Sequence, residues 1–334
     1  MRRFLYIGIN SRGTTSAMRA EKLRNILSDW EFSIIDTDIP KRSMNRIWQS
    51  IGFRYKRGPL INKVNNYVKD NVNGHYDMIW VDKAIYITPA TTKMLRGMAT
   101  KLIHFTPDPA FTFHRSKHFF GSAPMYDKLI TTKSYELDSY NEVAEGRVIY
   151  ATQGFDRAIH KPLCDFGDKS GLCFIGHYED DREEILLALI RNKIKVKLAG
   201  IHWDNFAKKN SCEYLDYLGT GVYGDDYVKT IGSSYFALGS ISKWVPEKHT
   251  TRTFEIPACK TALITEYNEE IASFYDDREV IFYNDADELV EKVQYYLSNK
   301  ESLESLIEAG YRKVMTGGFD YESILRSIIS QIYE

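Results

Sequence analysis

The feature that most constrains the fold is a regular alternation of short β-branched or aromatic runs with helical patterns, from the first residues to the last. Such alternation is typical of parallel sheets wrapped by helices, and the predicted fold class is therefore α/β. The runs predict strands over 4–9, 32–38, 77–82, 101–106, 127–132 and 147–152, and then over 172–177, 195–200, 235–240, 261–266 and 279–283.

The alternation is interrupted over 154–170, where the periodicity disappears and Gly, Pro, Asp and Lys accumulate, as at a domain boundary. A chain of 334 residues is also longer than the chains that usually fold around a single hydrophobic core. We therefore expect two doubly wound, Rossmann-like domains, 1–155 and 156–318, that face each other across a cleft. The amphipathic end of the chain, 319–334, is predicted to form a helix that packs back on the first domain.

Composition excludes several classes of protein. The 44 basic and 45 acidic side chains leave a net charge of -1, so no overall field attracts nucleic acid or anionic lipid. Local basic stretches at 41–42 and 54–57 could still meet an anionic acceptor. The four cysteines form no C-x-x-C pair, and no apolar run has the length of a membrane span. These features predict a reduced, cytoplasmic protein.

The segment SISKWVPEKHTTRTFEIPAC, which follows the predicted strand at 235–240, carries the clearest binding signal. Lys248, Thr250, Thr251 and Arg252 lead directly into a predicted helix, where the helix dipole disfavours cations unless an anion is bound. We expect a diphosphate there, held by the two hydroxyls and the helix amides. Arg252, together with Lys248, would neutralise the charge of the leaving group, without a required metal or other cofactor.

Two carboxylates flank this segment, with seven residues between Glu247 and Glu255. Glu255 lies about one turn inside the predicted helix, and a ribose diol is its expected partner. Local pairing with Arg252 is the alternative. Glu247, before the helix, is a candidate catalytic carboxylate.

The strings RTFEIPAC and TALITEYNEEIASFYDDREVIFYNDADELVEKVQYYL resemble the CgeB-like (spore maturation protein type) glycosyltransferases, relatives of the retaining group with an E-x7-E signature. HFTPDPAFTFHRSKHFFGSAPMYDKLITTKSYELDSY and FIGHYEDDRE also resemble that family, whose members often have glycine where this chain has Lys260. The resemblance implies GT-B architecture and transfer of a sugar from a nucleoside-diphosphate sugar, UDP-sugar favoured, to a hydroxyl acceptor. For individual residues it implies ribose binding by Glu255, diphosphate binding by Arg252 and Thr251, a phosphate-side lining by Gly176 and His177, and base contacts by Val222 and Tyr223.

The acceptor side is predicted in the first domain. Asp108, in the FTPDP string, is the candidate base for an inverting reaction, although a carboxylate between two prolines also shapes turns. His114 follows it and could touch the acceptor. In two-domain transferases the first loop and helix commonly reach the sugar or phosphate, which in this sequence concerns Gly13, Thr14, Thr15 and Arg19.

Three functional classes remain open from the sequence. A glycosyltransferase would bind a nucleotide sugar and a hydroxyl acceptor that is a glycan, protein, lipid-linked or other glycoconjugate, with a nucleic acid acceptor not excluded. A G-x-N-x-x-G pattern near the first strand loosely suggests an NAD-dependent oxidoreductase, although its spacing differs from the dinucleotide motif. A noncatalytic nucleotide-sugar-binding protein would retain the same binding residues.

Overall fold

A computed structural model describes all 334 residues. The chain forms two compact units, one of 1–152 together with 321–334 and the other of 153–320. Each unit contains a six-stranded parallel sheet with flanking helices, which confirms the predicted α/β class. The divisions at 152 and 320 lie close to the boundaries at 155 and 318 expected from the sequence.

The sheet of the first unit has the strand order β2-β1-β3-β4-β5-β6, and every neighbouring pair is parallel. Its strands are β1 (Arg3–Gly8), β2 (Glu31–Asp36), β3 (Tyr76–Asp82), β4 (Ala99–Thr106), β5 (Lys128–Thr131) and β6 (Val148–Tyr150). Its helices are α1 (Thr15–Ile26), α2 (Asp38–Arg42), α3 (Arg46–Tyr55), α4 (Pro59–Asn71), α5 (Pro89–Gly97), α6 (Lys117–Ser122), α7 (Leu137–Ala144) and, at the end of the chain, α15 (Tyr321–Tyr333).

Both faces of this sheet are buried, because successive side chains of a strand point to opposite faces. Leu5 and Ile7 of β1 belong to the core beneath α4 and α5, whereas Phe4 and Tyr6 belong to the core beneath α1. Helix α15 packs beside α1 on that second face and contributes Leu325, Ile328 and Ile332. The C-terminal stripe of apolar residues is thereby removed from water.

The sheet of the second unit has the order β12-β11-β10-β7-β8-β9. The strand order reverses between β7 and β10, and in sheets of this kind ligands bind at the carboxyl ends of the strands at such a reversal. The strands are β7 (Leu172–Ile175), β8 (Val196–Ala199), β9 (Leu215–Tyr217), β10 (Phe236–Leu238), β11 (Ala262–Glu266) and β12 (Ile281–Tyr283). The helices are α8 (Asp180–Arg191), α9 (Asp204–Lys209), α10 (Asp225–Gly232), α11 (Arg252–Ala258), α12 (Glu269–Phe274), α13 (Ala286–Ser298) and α14 (Lys300–Thr316).

Strand β9 is the element of this sheet that the sequence analysis missed. It has three residues and none of them is fully buried, so it carries little of the apolar signal that marks the other strands. None of the helices in either unit is both long enough and apolar enough to cross a bilayer.

Candidate functional site

A cavity of about 380 Å³ lies at the carboxyl edge of the second sheet, at the reversal of strand order. Its walls are the loops that follow β7, β8 and β9, together with the beginnings of α10 and α11. The predicted donor-site residues that line it are Gly176, His177, Val222, Tyr223 and Arg252.

Two glycines allow the loops after β7 and β8 to approach each other closely. Gly200 has a φ of +152°, and a Cβ atom on it would lie 1.8 Å from the carbonyl oxygen of Gly176. The same carbonyl accepts a hydrogen bond from the indole nitrogen of the buried Trp203 at 2.8 Å. A side chain at position 200 would therefore push the two loops apart and open the cavity wall.

Arg252 is the first residue of α11 and lines the cavity. Its Nε atom is buried without a hydrogen-bond partner, and so is the hydroxyl of nearby Thr250. Buried donors without partners are costly unless a ligand or water satisfies them. The orphaned donors therefore point to a bound group that can accept hydrogen bonds.

Three of the amides at the start of α11 are already engaged within the helix. The amides of Thr253, Phe254 and Glu255 already donate to the carbonyls of Thr250 and Thr251 within the same turn. Helix α11 is also only seven residues long. The side-chain donors without partners at this position are the Arg252 Nε and the Thr250 hydroxyl.

Glu255 is held by two neighbours of its own unit. The Tyr227 hydroxyl donates to Oε2 at 2.6 Å, and His160 Nε2 lies 3.5 Å from Oε1. Because the Asp156 amide donates to His160 Nδ1 at 3.0 Å, the ring proton resides on Nε2, facing the carboxylate. Burial and the charge of Glu255 raise the pKa of Tyr227, so this hydroxyl stays a donor. The alternative ion pair of Glu255 with Arg252 does not form.

A buried ion pair that the sequence analysis missed supports the cavity wall. Arg182 and Glu179 lie 2.9 Å apart with both side chains under 5% exposed. Arg182 donates to the His177 carbonyl and to the Ser240 hydroxyl, while Glu179 accepts from the Lys243 amide. The pair thereby ties the loop after β7 to the loop after β10. The string EDDRE, which contains both residues, has the acidic pattern of an ordinary helix start. The sequence therefore contained no indication of a buried ion pair.

The charge of Glu179 is stabilised by its surroundings. Burial acts to raise its pKa, but hydrogen bonds from the Lys243 amide and Ser242, with the nearby Arg182 charge, lower it overall. His177 Nε2 lies 2.8 Å from the same carboxylate, and its ring packs against Trp244. The buried Glu179 carboxylate therefore helps to fix the position of the His177 ring at the cavity.

The other predicted donor residues lie around the cavity without lining it. Lys248 is exposed, and Thr251 precedes α11 without capping it through its side chain. Glu247, Thr250 and Glu255 are partly buried, outside the cavity lining.

The first unit has a smaller cavity of about 150 Å³, also at the carboxyl edge of its sheet. Asp82, Lys83 and His114 line it among mainly apolar side chains. Asp108 Oδ2 lies 2.7 Å from Lys83 Nζ and 3.6 Å from His114 Nε2, and burial lowers the pKa of His114. Lys83 and the following Ala84 both have positive φ, +62° and +34°, a strained conformation of the kind that collects at functional sites.

The predicted residues of the first loop and helix divide into two groups. Gly13 takes a φ of +82°, Thr15 is exposed, and the Thr14 hydroxyl caps α1 by accepting from the Ala17 amide at 3.2 Å. Arg19 is instead buried, 2.7 Å from Asp82 and stacked on Phe105. The prediction that Arg19 reaches the sugar or phosphate is not supported, because its guanidinium lies in the core.

Comparisons with known proteins agree with this architecture. HepE of Anabaena, solved in complex with UDP and glucose, aligns over 100% of both chains with a TM-score of 0.68 and 11% identity. Sucrose-phosphate synthase from Thermosynechococcus elongatus aligns over 100% of this chain and 98% of its own, with a TM-score of 0.69 and 13% identity. A glycosyltransferase from Rickettsia africae aligns over 99% of this chain and 97% of its own, with a TM-score of 0.66 and 13% identity. Likenesses at such identities define the fold, and that fold is GT-B.

A family model matches most of the second unit and the beginning of α15. Residues 182–330 match the model of a family described as glycosyl transferase-like. The match covers less than half of the chain and includes the cavity-lining Arg252, Val222 and Tyr223. Comparison with curated protein sequences finds no significant match.

Proposed function

We propose that the protein is a glycosyltransferase that moves a sugar from a nucleoside-diphosphate sugar, most favourably a UDP-sugar, to a hydroxyl acceptor. The observation that carries the proposal is the cavity at the strand-order reversal of the second sheet, with the unpartnered Nε of Arg252 beside it. The glycosyl transferase-like match includes Arg252. The cavity volume of about 380 Å³ is within the range of small-molecule sites.

The diphosphate is assigned to Arg252 and Thr250. A guanidinium can donate two parallel hydrogen bonds to phosphate oxygens, and its charge offsets the charge that develops as the diphosphate leaves. Exposed Lys248 and partly buried Thr251 would contribute at the edge of the same site. The structures of HepE with UDP and with UDP-glucose support uridine as the nucleoside, and Val222 and Tyr223 would flank its base.

The ribose is assigned to Glu255, with Tyr227 fixing the carboxylate. Gly176 and His177 would form the phosphate side of the cavity. A Cβ atom on Gly176 would lie 2.7 Å from the ring of Phe174, so the glycine is required by the packing behind the loop. Glu247 would face the sugar. In this proposal Arg252 neutralises the charge of the leaving group, and no resident metal or other cofactor is assigned.

The acceptor is assigned to the first unit. In the inverting form, the Asp108 carboxylate takes the proton of the acceptor hydroxyl, the acceptor oxygen bonds to the anomeric carbon, and the bond to the diphosphate breaks. Lys83 and His114 fix the position of that carboxylate. In the retaining form, no base at Asp108 is needed and Glu247 becomes the relevant carboxylate.

We further propose that the protein belongs to the CgeB-like subgroup, on the RTFEIPAC string, and that it acts in the cytoplasm, where its four free cysteines would stay reduced. The acceptor could be a glycan, a protein or a lipid-linked molecule.

The experiment that tests the function is measurement of nucleoside diphosphate released from UDP-, GDP- and ADP-sugars, with and without hydroxyl acceptors and chelator. We expect chelator-resistant release of UDP from a UDP-sugar and strong loss of that release in Arg252→Ala. Binding of UDP-sugar without release under any condition would favour the noncatalytic binding protein. Oxidation or reduction of NAD would favour the oxidoreductase.

A further inference from the structure

The segment from 39 to 69 has an unusual charge pattern. It contains eight Lys or Arg residues and no Asp or Glu, in a chain whose net charge is -1. It spans most of α2, all of α3 and most of α4 in the first unit. We refer to residues 39–69 as the basic segment.

Three arginines of the basic segment have no carboxylate partner. Arg46, Arg54 and Arg57 are exposed and form no ion pair. Arg42, in contrast, pairs with Asp36, and Lys56 is buried and donates to the backbone of its own segment. The positive charge of Arg46, Arg54 and Arg57 is therefore available to an external anion.

The apolar side chains of α3 point outward. Ile47 is 66% exposed, Trp48 45% and Tyr55 59%. Ile47, Ile51 and Tyr55 follow one another at four-residue intervals and form one stripe along the helix, with Trp48 beside it. A surface helix normally buries such a stripe.

The stripe is exposed because α3 packs on α4 through a different side. Gly52 is buried, and a Cβ atom there would lie 2.6 Å from the side chain of Leu60 on α4. The close approach at Gly52 fixes α3 against α4, while the Ile47 and Tyr55 side chains remain more than half exposed. The result is a helix with apolar, aromatic and cationic side chains together on its outer surface.

We propose that the basic segment docks on an anionic lipid bilayer, with α3 lying in the interface. Trp and Tyr favour the headgroup level, isoleucines favour the acyl boundary, and arginines bind anionic headgroups. Charge complementarity identifies the lipid as anionic. Ile47, and Ile39 at 46% exposure, distinguish this partner from a nucleic acid, because aliphatic groups neither stack well on bases nor pair with phosphates.

The docking surface adjoins the cavity of the first unit. Lys41 and Phe53 of the basic segment line that cavity together with His114, against which the Phe53 ring packs edge to face. The acceptor hydroxyl would therefore belong to a molecule held at the bilayer surface, such as a lipid-linked glycan. This last step rests on the proposed function, whereas the docking itself does not.

The test is flotation of the full-length protein with phosphatidylcholine vesicles that contain or lack phosphatidylglycerol, without any nucleotide sugar. Wild type should float with the anionic vesicles, and added salt should weaken binding. Replacement of Arg46, Arg54 and Arg57 by Gln should lower the partition coefficient on the order of 100-fold. Ile47→Ser with Trp48→Ser should also lower it.

Matched controls separate the surface from general charge and fold. Lys193, Lys208 and Lys209 are exposed in the second unit, and their replacement by Gln changes the net charge equally. Binding should then fall far less than in the arginine variant, and Tyr295→Ser, at another exposed aromatic, should bind as wild type. Circular dichroism and UDP binding, which belongs to the second unit in this account, report whether each variant is folded.

Absence of vesicle binding by wild type, equal binding to both vesicle types, or equal loss in the lysine control would overturn the proposal. Binding to single-stranded DNA or RNA that the arginine variant loses, without vesicle binding, would assign the surface to nucleic acid instead. Because no sugar donor is present, failure of vesicle binding leaves the transferase proposal intact. A vesicle-bound protein that releases no UDP would contradict only the transferase proposal.

Discussion

The hydroxyl of Tyr227 donates a hydrogen bond to the Glu255 carboxylate across 2.6 Å, and the same tyrosine lines the cavity of the second unit. The pair joins α10 to α11 behind the loop that carries Val222 and Tyr223. Glu255 therefore has a fixed position before any nucleotide binds. A preorganised carboxylate loses less entropy when it accepts hydrogen bonds from a ribose.

Replacement of Glu255 by Gln should weaken UDP binding by about 10-fold, the effect of losing one hydrogen bond to a charged group. Tyr227→Phe should weaken it less, since the carboxylate remains and only its support is removed. Calorimetric titration with UDP measures both variants. Affinity equal to wild type in Glu255→Gln would remove the ribose assignment.

Replacement of Arg252 by Ala should reduce the rate at saturating donor on the order of 100-fold, because the guanidinium is assigned to charge that develops as the diphosphate departs. Arg278→Ala is the matched control, since Arg278 is an exposed arginine of the same unit that pairs only with Asp276. Steady-state kinetics of UDP release would compare the two variants with wild type. A normal saturated rate in Arg252→Ala contradicts the assignment even if KM rises.

The sequence predicted the sheets more accurately than the chemistry of individual side chains. Alternating apolar runs depend on local pattern, so most strands could be predicted. Arg252 could be predicted because a cation at a helix start is unusual unless an anion binds there. The Glu179–Arg182 pair and the burial of Arg19 depend on which loops meet in space, and no local pattern reports that. The family resemblance supplied the donor-site residues, and the glycosyl transferase-like match supports the predicted class.

His104 should make the first unit sensitive to acid. It is fully buried between the rings of Phe119 and Tyr126, and burial lowers its pKa to about 4. In the unfolded chain, His104 takes up a proton near its ordinary pKa of about 6.5. Its neutral form therefore causes no loss of stability above that pH, and the free energy of unfolding falls as the pH is lowered from about 6.5 to about 4.

Because of His104, the free energy of unfolding should fall by about 2 kcal/mol when the pH is lowered from about 7.5 to about 5. His104→Leu should lose that part of the pH dependence. Urea unfolding at the two pH values, with hydrogen exchange of β4 as the local probe, measures the difference. An unchanged pH dependence in the variant would show that His104 is not the responsible group.

Lys260 occupies a position that favours glycine. It follows α11 and its C-cap Cys259 with a φ of +53°, while its side chain contacts Glu308 and Tyr311. Lys260→Gly and Lys260→Ala both remove these contacts, but only glycine is unstrained in the left-handed region. The glycine variant should therefore be about 1 kcal/mol more stable than the alanine variant by denaturant unfolding. Equal stability would mean that the backbone at this position relaxes freely.

The most direct test of the central claim is calorimetric titration of the purified protein with UDP and, separately, with NAD, in the presence of chelator. The account predicts saturable binding of UDP at one site, weakened in Arg252→Ala, and no binding of NAD. Binding of NAD alone, or UDP binding that Arg252→Ala leaves unchanged, would contradict the assignment of the second-unit cavity to a nucleotide sugar.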